Sequence, residues 1–451
     1  MSSFIAFAQT QSLEITISPD ARGRTYLGLG SGCIFYQGHL VRGVPSGLRE
    51  QTYDHLFSDI PMEYLMIWFR PNEEMNDNDD PSELNLDAFT HRRTNVDEYV
   101  EVINQARQRQ PDIKLIATVY SPPAWLKTNK SIYGGGSLDT SVQNAYDEFG
   151  EFVFAYMLLF KEQGVAFDAL MLTNEPDFEL THEDASYTPE QLRELHKRTV
   201  HHLRELIDGS QNTAGVTMPK IIAPSTIDLK KTNEYINALK ADSEAWDNVD
   251  WISTHQYTNS TLDRFREIEQ NIEGKPFIMS EWHSANNGDI DLPIIEVMEQ
   301  THAMITAFNG GVNSYWWFEL GHPENTIAGV IHTPWGWPPE YGKTFHSWRQ
   351  WANLTPVGSV RVDVALTGHT PRDWDCVAFE KDGVITFHLR NGGLKQPVRI
   401  NVADQTIRSV EYWRTTAAYD YIQCPPVVPD DSAITLNIES LSFNTLIIRA
   451  D

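Results

Sequence analysis

The chain has 451 residues and a formal net charge of −27, with 41% hydrophobic and 22% charged residues. This length and composition are ordinary for a globular protein with a large core and more than one module. The excess of negative charge disfavours nucleic acid and anionic lipid as partners, because both would be repelled.

The first residues, MSSFIAFAQTQ, contain a short apolar stretch and an AFA–Q junction that resembles a signal-peptidase site. The basic segment and most of the apolar region of a signal peptide are missing. A clipped signal peptide and an ordinary chain terminus therefore both stay open. The first would make the protein secreted or periplasmic, and a cytoplasmic location is the alternative. The sequence has no apolar run of about 18 residues, so it does not predict insertion into a membrane.

Residues 1–24 form an N-terminal segment in which LEITIS, at 13–18, predicts a strand that joins the C-terminal module. From 25 to 355, short apolar runs alternate with segments of helical period. Eight such runs are present: TYLGLGSG, EYLMIWF, KLIATVYS, ALMLTN, KIIAPS, VDWISTH, PFIMSE and VNSYWWFE. This alternation predicts an α/β fold, a (β/α)8 TIM barrel. The competing interpretation, a doubly wound open sheet, lacks a glycine-rich phosphate turn after the first strand.

The helical segments between these runs include TPEQLRELHKRTVHHLREL. Thr188 followed by Pro189 predicts a helix start, with a capping threonine and a proline at the first helical position.

The pattern changes at about residue 356, where short alternating runs are separated by DG, NGG and proline clusters. Residues 356–451 are predicted to form an all-β sandwich attached to the barrel. Three cysteines without CxxC spacing argue against a zinc site and a disulfide framework. One bond, between Cys376 and Cys424, stays open.

Polar and aromatic residues end most of the predicted barrel strands. In a barrel of this kind, the groups that act on a substrate lie at the carboxyl ends of the strands. Residues of this type stand at or just after the strand ends: Arg70, Tyr120, Trp125, Asn174, Glu175, His255, Tyr257, Glu281, Trp282, Trp317 and Glu319.

Glu175 and Glu281 end the fourth and seventh predicted strands, in NEP and SEW. Pro176 stops the fourth strand at once and holds the carboxylate at the barrel rim. Two facing carboxylates fit glycoside hydrolysis, in which one donates a proton to the leaving oxygen and the other meets the positive charge that develops at the sugar carbon. A single glutamate at a strand end is commonly only solvated, but the two together favour a functional pair.

Tryptophans near these strand ends are candidates for sugar binding. Trp282 follows Glu281 directly. Adjacent strand residues point to opposite faces, so one of Trp316 and Trp317 could belong to the core while the other, which we take as Trp317, forms the floor of the site. Trp335 belongs to WGWPP in the last βα loop, where exposed aromatics bind sugar more readily than they pack.

Histidines do not predict a metal site. His182, His255, His283, His322 and His332 show neither HExxH nor paired HxH spacing. We therefore predict no metal and no organic cofactor.

Several motifs resemble retaining glycoside hydrolases of clan A, and most closely family 30: NEP, SEW, SPPAW and YGKTFHSWRQWANLTPVGSVRV. That family includes glucosylceramidase-like, xylanase, glucanase and galactanase members. The resemblance covers nearly the whole chain, from LEITIS to NTLIIRA. It implies a (β/α)8 barrel with a side β-sandwich built from the C-terminus and an N-terminal strand.

The resemblance also implies roles for individual residues. Glu175 would be the acid/base and Glu281 the nucleophile. Asn174 would bind the 2-hydroxyl group of the sugar. Four further residues match positions that shape the subsite of the sugar to be cleaved: Arg70, Trp125, His255 and Tyr257. Of these, Tyr257 or His255 would orient Glu281.

The substrate class is predicted as a β-linked oligo- or polysaccharide. The flanks MSEWHS and NSYWWFE do not indicate a subfamily, so an agar- or porphyran-cleaving enzyme of the same clan is an alternative. A non-catalytic carbohydrate-binding protein on the same scaffold is a second alternative. Loss of either glutamate would favour it, and both are present.

Overall fold

The computed structural model describes residues 13–71, 80–88, 96–179, 181–284, 293–324, 328–367, 373–430 and 433–451. The segment MSSFIAFAQTQ lies outside the described residues. None of the helices in the described part of the chain has the length and apolar character needed to cross a bilayer.

The described residues contain nineteen strands: β1 Leu13–Thr25, β2 Gly28–Cys33, β3 Tyr64–Trp68, β4 Lys114–Thr118, β5 Ala169–Met171, β6 Lys220–Asp228, β7 Trp251–Thr258, β8 Phe277–Glu281, β9 Ser314–Trp317, β10 Glu319–His322, β11 Gly329–His332, β12 Val360–Thr367, β13 Trp374–Lys381, β14 Val384–Asn391, β15 Gln396–Val402, β16 Ile407–Thr416, β17 Ile422–Gln423, β18 Ala433–Ile438 and β19 Ser442–Ala450. They also contain nine α-helices: α1 Arg49–Phe57, α2 Val96–Arg109, α3 Ala145–Glu162, α4 Pro189–Asp208, α5 Leu229–Lys240, α6 Ser243–Asn248, α7 Leu262–Asn271, α8 Pro293–Asn309 and α9 Lys343–Leu354.

Eight parallel strands, β2 to β9, form a closed barrel in chain order, with β9 paired to β2. Each of the eight predicted apolar runs supplies one barrel strand, so the predicted fold class is confirmed. The strands read as almost continuous apolar runs because both of their faces are buried, as in β3, where all five residues are buried.

Glycines of β2 make room inside the barrel. A Cβ atom on Gly30 would lie 2.6 Å from the indole of Trp316, and one on Gly32 would lie 2.1 Å from the carbonyl oxygen of Phe318. The sequence GLGSGC therefore lets the Trp316 ring and the backbone of Phe318 lie against the first barrel strand.

Helix α4 begins as the sequence predicts. The hydroxyl oxygen of Thr188 accepts a hydrogen bond from the backbone N–H of Gln191, and the Gln191 side chain accepts one from the backbone N–H of Thr188. Pro189 occupies the start of the helix. This reciprocal capping box satisfies two of the N–H groups that a helix start leaves without partners.

The second part of the fold is a nine-stranded sheet with the order β17-β16-β19-β14-β13-β12-β1-β15-β18. Strand β1 pairs antiparallel with β12 and parallel with β15. Alternate residues of β1, among them Ile15 and Ile17, enter a hydrophobic core shared by strands from both ends of the sheet. The predicted all-β module is thus present, with its strands hydrogen-bonded as a single sheet. Cys33, Cys376 and Cys424 are free thiols.

The chain forms two compact units. The β unit comprises the described residues of Met1–Tyr26, Ile290–Asn309 and His346–Asp451, and the barrel unit comprises those of Leu27–Asp289 and Gly310–Phe345. Within the β unit, helix α8 packs against β13, β14 and β19.

Candidate active site

Glu175 lies just beyond β5, the fourth barrel strand, and its backbone is held in an unusual conformation. Its φ of 45° lies in the left-handed region, which costs a non-glycine residue about 1–2 kcal/mol. The backbone N–H of Glu175 donates to the carbonyl oxygen of Ser225 at 3.0 Å, and this bond ties the residue to the neighbouring strand β6. The surrounding structure thus fixes a turn that aims the buried carboxyl group into the barrel mouth.

The loop after Glu175 is also anchored to the end of β6. The carboxylate of Asp177 accepts the backbone N–H groups of Ile227 at 2.9 Å and Asp228 at 3.1 Å. The Lys231 ammonium group donates to the carbonyl oxygen of Asp177 at 2.8 Å. The sequence NEPDF therefore combines a carboxyl group with its own support.

Glu281 is the last residue of β8, the seventh barrel strand, and is held by two tyrosines. The Tyr120 hydroxyl donates to Oε2 of Glu281 at 3.0 Å, and the Tyr257 hydroxyl donates to Oε1 at 3.0 Å. Each carboxylate oxygen has its own donor, so the plane of the group is fixed.

His255 lies between the two carboxyl groups. Its Nδ1 is 2.8 Å from Oε1 of Glu175 and 3.8 Å from Oε1 of Glu281. One carboxylate oxygen of each glutamate and one ring nitrogen of His255 all lie within 4.8 Å of one another. The two carboxyl groups therefore face each other at a separation that leaves little room between them.

Burial governs the proton affinity of this cluster. Desolvation, together with the nearby carboxylate of Asp177, raises the pKa of Glu175 to about 8. Desolvation also raises the pKa of Glu281, and the opposing effects of His255 and the two tyrosine hydroxyls leave it at about 7. The pKa of His255 is lowered by its own burial, which favours the neutral imidazole.

A pocket of about 210 Å³ opens onto the two carboxyl groups. Its lining combines the polar groups with aromatic rings: Phe35, Tyr120, Asn174, Glu175, His182, Ile227, Tyr257, Glu281, His283 and Phe318. Aromatic walls around a few converging polar groups are typical of a site for a small ring-shaped ligand such as a sugar.

Phe35 lies at the centre of the aromatic wall. Its ring centroid is 5.0 Å from that of Trp68, 5.6 Å from that of Tyr120 and 6.0 Å from that of Phe318. The ring of His182 lies at 5.9 Å. Phe35 therefore contacts the tyrosine that donates to Glu281.

The ten site residues predicted from the sequence divide into three groups. Four of them line the pocket: Asn174, Glu175, Tyr257 and Glu281. His255 stands behind the pocket wall, hydrogen-bonded to Glu175. The other five are not among the described residues that line the pocket: Arg70, Trp125, Trp282, Trp317 and Trp335.

Arg70 and Trp125 follow barrel strands in the sequence, but they do not line the pocket and make other contacts. The Arg70 guanidinium group pairs with Glu183 at 2.6 Å and lies 5.0 Å from the ring centroid of Trp68, a neighbour of Phe35. Trp125 belongs to a short 3-10 helix, and its carbonyl oxygen accepts a hydrogen bond from Lys130 at 3.1 Å.

Two of the three other tryptophans are buried. The rings of Trp282 and Trp317 pack against each other at 5.3 Å, and the Trp317 indole donates to the carbonyl oxygen of Ala328. Trp335 is 54% exposed and lies beside His39 and Arg42 on another part of the barrel rim.

Six pocket residues were absent from the predicted site: Phe35, Tyr120, His182, Ile227, His283 and Phe318. Four of them carry a signal in the sequence, because Phe35, Tyr120 and His283 follow the end of a barrel strand by two residues and Phe318 follows one directly. The strand-end rule that selected the glutamates also named Tyr120, which was not placed in the site, and it applies equally to Phe35, His283 and Phe318. His182 lies on a loop and Ile227 near the end of β6, and whether their side chains reach the pocket depends on tertiary packing.

Glu175, His255 and Glu281 offer the spacing of a metal-binding cluster. Their polar atoms also make hydrogen bonds among themselves and with Tyr120 and Tyr257. These hydrogen bonds give carboxylate oxygens of both glutamates partners within the protein.

Comparisons with known proteins agree with this geometry. A family model described as the glycosyl hydrolase family 30 TIM-barrel domain matches residues 60–291, just over half of the chain. An endo-1,6-β-D-glucanase of Neurospora crassa is 23% identical over 178 residues, a segment that spans 37% of this chain and only 36% of the glucanase.

Solved structures show the same fold over nearly the full length. A glycoside hydrolase family 30 subfamily 8 xylanase from Clostridium acetobutylicum superposes with a TM-score of 0.73 at 18% identity, covering 97% of this chain and 99% of the xylanase. The endo-β1,6-glucanase BT3312 gives a TM-score of 0.70 at 16% identity, covering 98% and 96%. On the match to the family model, this chain belongs to glycosyl hydrolase family 30.

Proposed function

We propose that the protein is a retaining β-glycoside hydrolase that acts on a β-linked oligo- or polysaccharide, with Glu281 as nucleophile and Glu175 as acid/base. The observation that carries the proposal is the pair of buried carboxyl groups, with oxygens within 4.8 Å of each other at the barrel mouth. Retaining enzymes place these groups about 5–5.5 Å apart, whereas inverting enzymes need about 6.5–9.5 Å to admit a water molecule.

Glu281 suits the nucleophile because its carboxylate is already oriented. Hydrogen bonds from Tyr120 and Tyr257 favour the ionised form and hold one oxygen toward the anomeric carbon. Attack forms a glycosyl-enzyme ester on Glu281 as the bond to the leaving oxygen breaks.

Glu175 suits the acid/base because burial keeps it protonated. With the Nδ1–H of neutral His255 donating to Oε1, the proton on Oε2 is available for the leaving oxygen. Once Glu281 is esterified, its negative charge is gone, and Glu175 can act as the base for the water that resolves the ester.

The substrate class is proposed from the pocket and from the relatives. Phe35 and Phe318 offer apolar rings to the faces of a sugar, while Asn174 beside the acid/base offers an amide to a hydroxyl group. The named relatives are a xylanase and endo-1,6-β-glucanases, so xylan and β-1,6-glucan are the first substrates to test. Agar and porphyran test the galactan alternative.

The stereochemistry of the first product tests the proposal. A panel of these polysaccharides, with product sizes measured, identifies a cleaved substrate and shows endo or exo action. Proton NMR of the earliest products should then show the β anomer, and added methanol should be captured as a β-glycoside. An initial α anomer would mean that the carboxyl pair is wrongly assigned.

Covalent labelling tests the residue roles separately. A 2-fluoro glycoside of the cleaved sugar should label a peptide containing Glu281, whereas Glu281→Gln should bind the sugar without being labelled. Label on Glu175 or Glu319 would overturn the assignment. Sugar binding without turnover or label on any polysaccharide would instead favour a carbohydrate-binding protein.

A further inference from the structure

A third buried carboxyl group lies beside the pair and is not used in the proposed reaction. Glu319 begins β10, directly after the pocket residue Phe318, and is only 1% exposed. It is not among the residues that line the pocket. A buried carboxyl group costs free energy unless its oxygens are hydrogen-bonded, so its partners indicate what it does.

The partners of Glu319 are backbone N–H groups of the segment that follows β2. The N–H of Ile34 lies 3.0 Å from each carboxylate oxygen, and the N–H of Phe35 donates to Oε1 at 2.5 Å. From the opposite side, the Tyr99 hydroxyl of helix α2 donates to the carbonyl oxygen of Ile34 at 2.5 Å. The segment is therefore held at both its N–H and its C=O groups.

This segment carries the central residue of the pocket wall. Phe35 packs on the ring of Tyr120, and Tyr120 donates to Oε2 of Glu281. A continuous set of contacts thus leads from Glu319 through the backbone of Phe35 to the carboxylate proposed as nucleophile.

We propose that Glu319 is a positioning residue: by accepting the backbone N–H groups of Ile34 and Phe35, it holds Phe35 against Tyr120 and so keeps Glu281 aligned for attack. This inference rests on the proposed function. Glu319 contacts neither the sugar nor the reacting atoms; it acts through Phe35.

The ionisation of Glu319 depends on this contact. Burial raises its pKa to about 8, whereas the backbone N–H groups of Phe35 and Ile34 lower it and so favour the ionised form, in which both oxygens accept. Two backbone donors converge on Glu319, and its two oxygens both accept. Glutamine keeps the shape but turns one acceptor into an NH₂ donor, which would face the peptide N–H groups. Aspartate keeps the charge but is one methylene shorter.

Glu319→Gln is the first test. The turnover number per active site, counted by 2-fluoro glycoside labelling of Glu281, should fall about 10- to 100-fold, the range expected when buried donors lose an acceptor. KM should change by less than about threefold, because sugar-binding groups other than Phe35 stay in place. Glu319→Asp should recover part of the loss. Glu296→Gln, which changes a buried carboxyl group of the β unit, is the matched control and should keep the wild-type turnover number.

A double-mutant cycle separates positioning from general support of the fold. Once Phe35→Ala removes the ring, adding Glu319→Gln should lower the turnover number by less than about twofold. Equal losses in both backgrounds would overturn the proposal, as would a wild-type turnover number per labelled site in Glu319→Gln. If Glu319→Gln does not fold, Glu319→Asp takes its place in the cycle under the same criteria. The proposed function is tested separately on the wild-type enzyme. An initial α anomer, or covalent label on a residue other than Glu281, would overturn it.

Discussion

Glu175 and Glu281 are both buried, and their different neighbours decide which of them holds a proton. Both pKa values are raised, but only Glu281 receives two hydroxyl hydrogen bonds that favour its anion. Glu175 instead has the carboxylate of Asp177 nearby, which favours its protonated form. The two environments push the pair toward one anion and one acid, the combination that a retaining enzyme needs before substrate arrives.

The pH dependence of activity should follow from these two groups. Attack needs ionised Glu281, so kcat/KM should rise as the pH increases through about 7, its raised pKa. Leaving-group departure needs protonated Glu175, so kcat/KM should fall as the pH increases through about 8. A pH profile on a β-glycoside with a poor leaving group measures both limbs.

Glu175→Ala is the control for this profile. On a substrate with a good leaving group, which needs no acid, the variant should lose the alkaline limb and keep the acidic one. A wild-type profile that stays flat from about pH 5 to 10 would contradict the effect of burial on both groups.

Single residues were predictable from the sequence where a strand end fixed their position. Glu175, Glu281 and Tyr257 stand at or near the ends of barrel strands, and the structure brings all three to one pocket. The prediction that Trp317 forms the floor of the site depended on the alternation of strand faces. Both faces of β9 are buried, however, and so are Trp316 and Trp317. The following residue, Phe318, reaches the pocket instead.

At the scale of the element, the capping box of α4 joins the loop after Glu175 to a helix. Tyr187 directly precedes the capping residue Thr188, and its backbone N–H donates to the carbonyl oxygen of Pro176 in the loop after Glu175. The Tyr235 hydroxyl of α5 donates to the carbonyl oxygen of Tyr187 at 2.6 Å. The start of α4 is therefore part of the support of the acid/base loop.

Thr188→Ala should lower the free energy of unfolding by about 0.5–2 kcal/mol, because the N–H of Gln191 loses its acceptor. Urea unfolding followed by circular dichroism measures the loss. Gln191→Ala, which removes the reciprocal bond and a 3.4 Å bond from the Gln191 side chain to the Ser137 hydroxyl, should cost less. An equal or larger cost for Gln191→Ala would show that the threonine cap is not the dominant contact.

Elements were predictable where an apolar run was long or its ends were marked. All eight barrel strands and the start of α4 satisfy this condition. The short pair β10 and β11 was not predicted, since four-residue strands without clear alternation resemble loop sequence. Glu319 belongs to this pair, which explains why its role could not be inferred from the pattern alone.

At the scale of the whole molecule, β1 completes a sheet whose other strands come from the far end of the sequence. It lies between β12 and β15, and its buried residues belong to the core of the β unit. Hydrophobic alternation in LEITIS predicts a strand, but the parallel pairing with β15 depends on contacts that no local pattern records.

Ile15→Ala should lower the free energy of unfolding of the β unit by about 2–5 kcal/mol, because Ile15 is fully buried and the cavity would fill only in part. Thr16→Ala, at the partly buried neighbouring position of the same strand, should cost at most about 1 kcal/mol. Differential scanning calorimetry compares the two variants. Equal effects would argue against a core role for this strand.

The position of β1 has a consequence for synthesis on the ribosome. About 335 residues separate Thr25 from Val360, the first residue of its antiparallel partner. At roughly 5–20 residues per second, β1 waits about 20–70 s for that partner. The intervening barrel has all its strands by Trp317 and can close during that time. Until β12 and β15 emerge, β1 lacks both of its strand partners, and its unpaired edges are open to pairing with other chains.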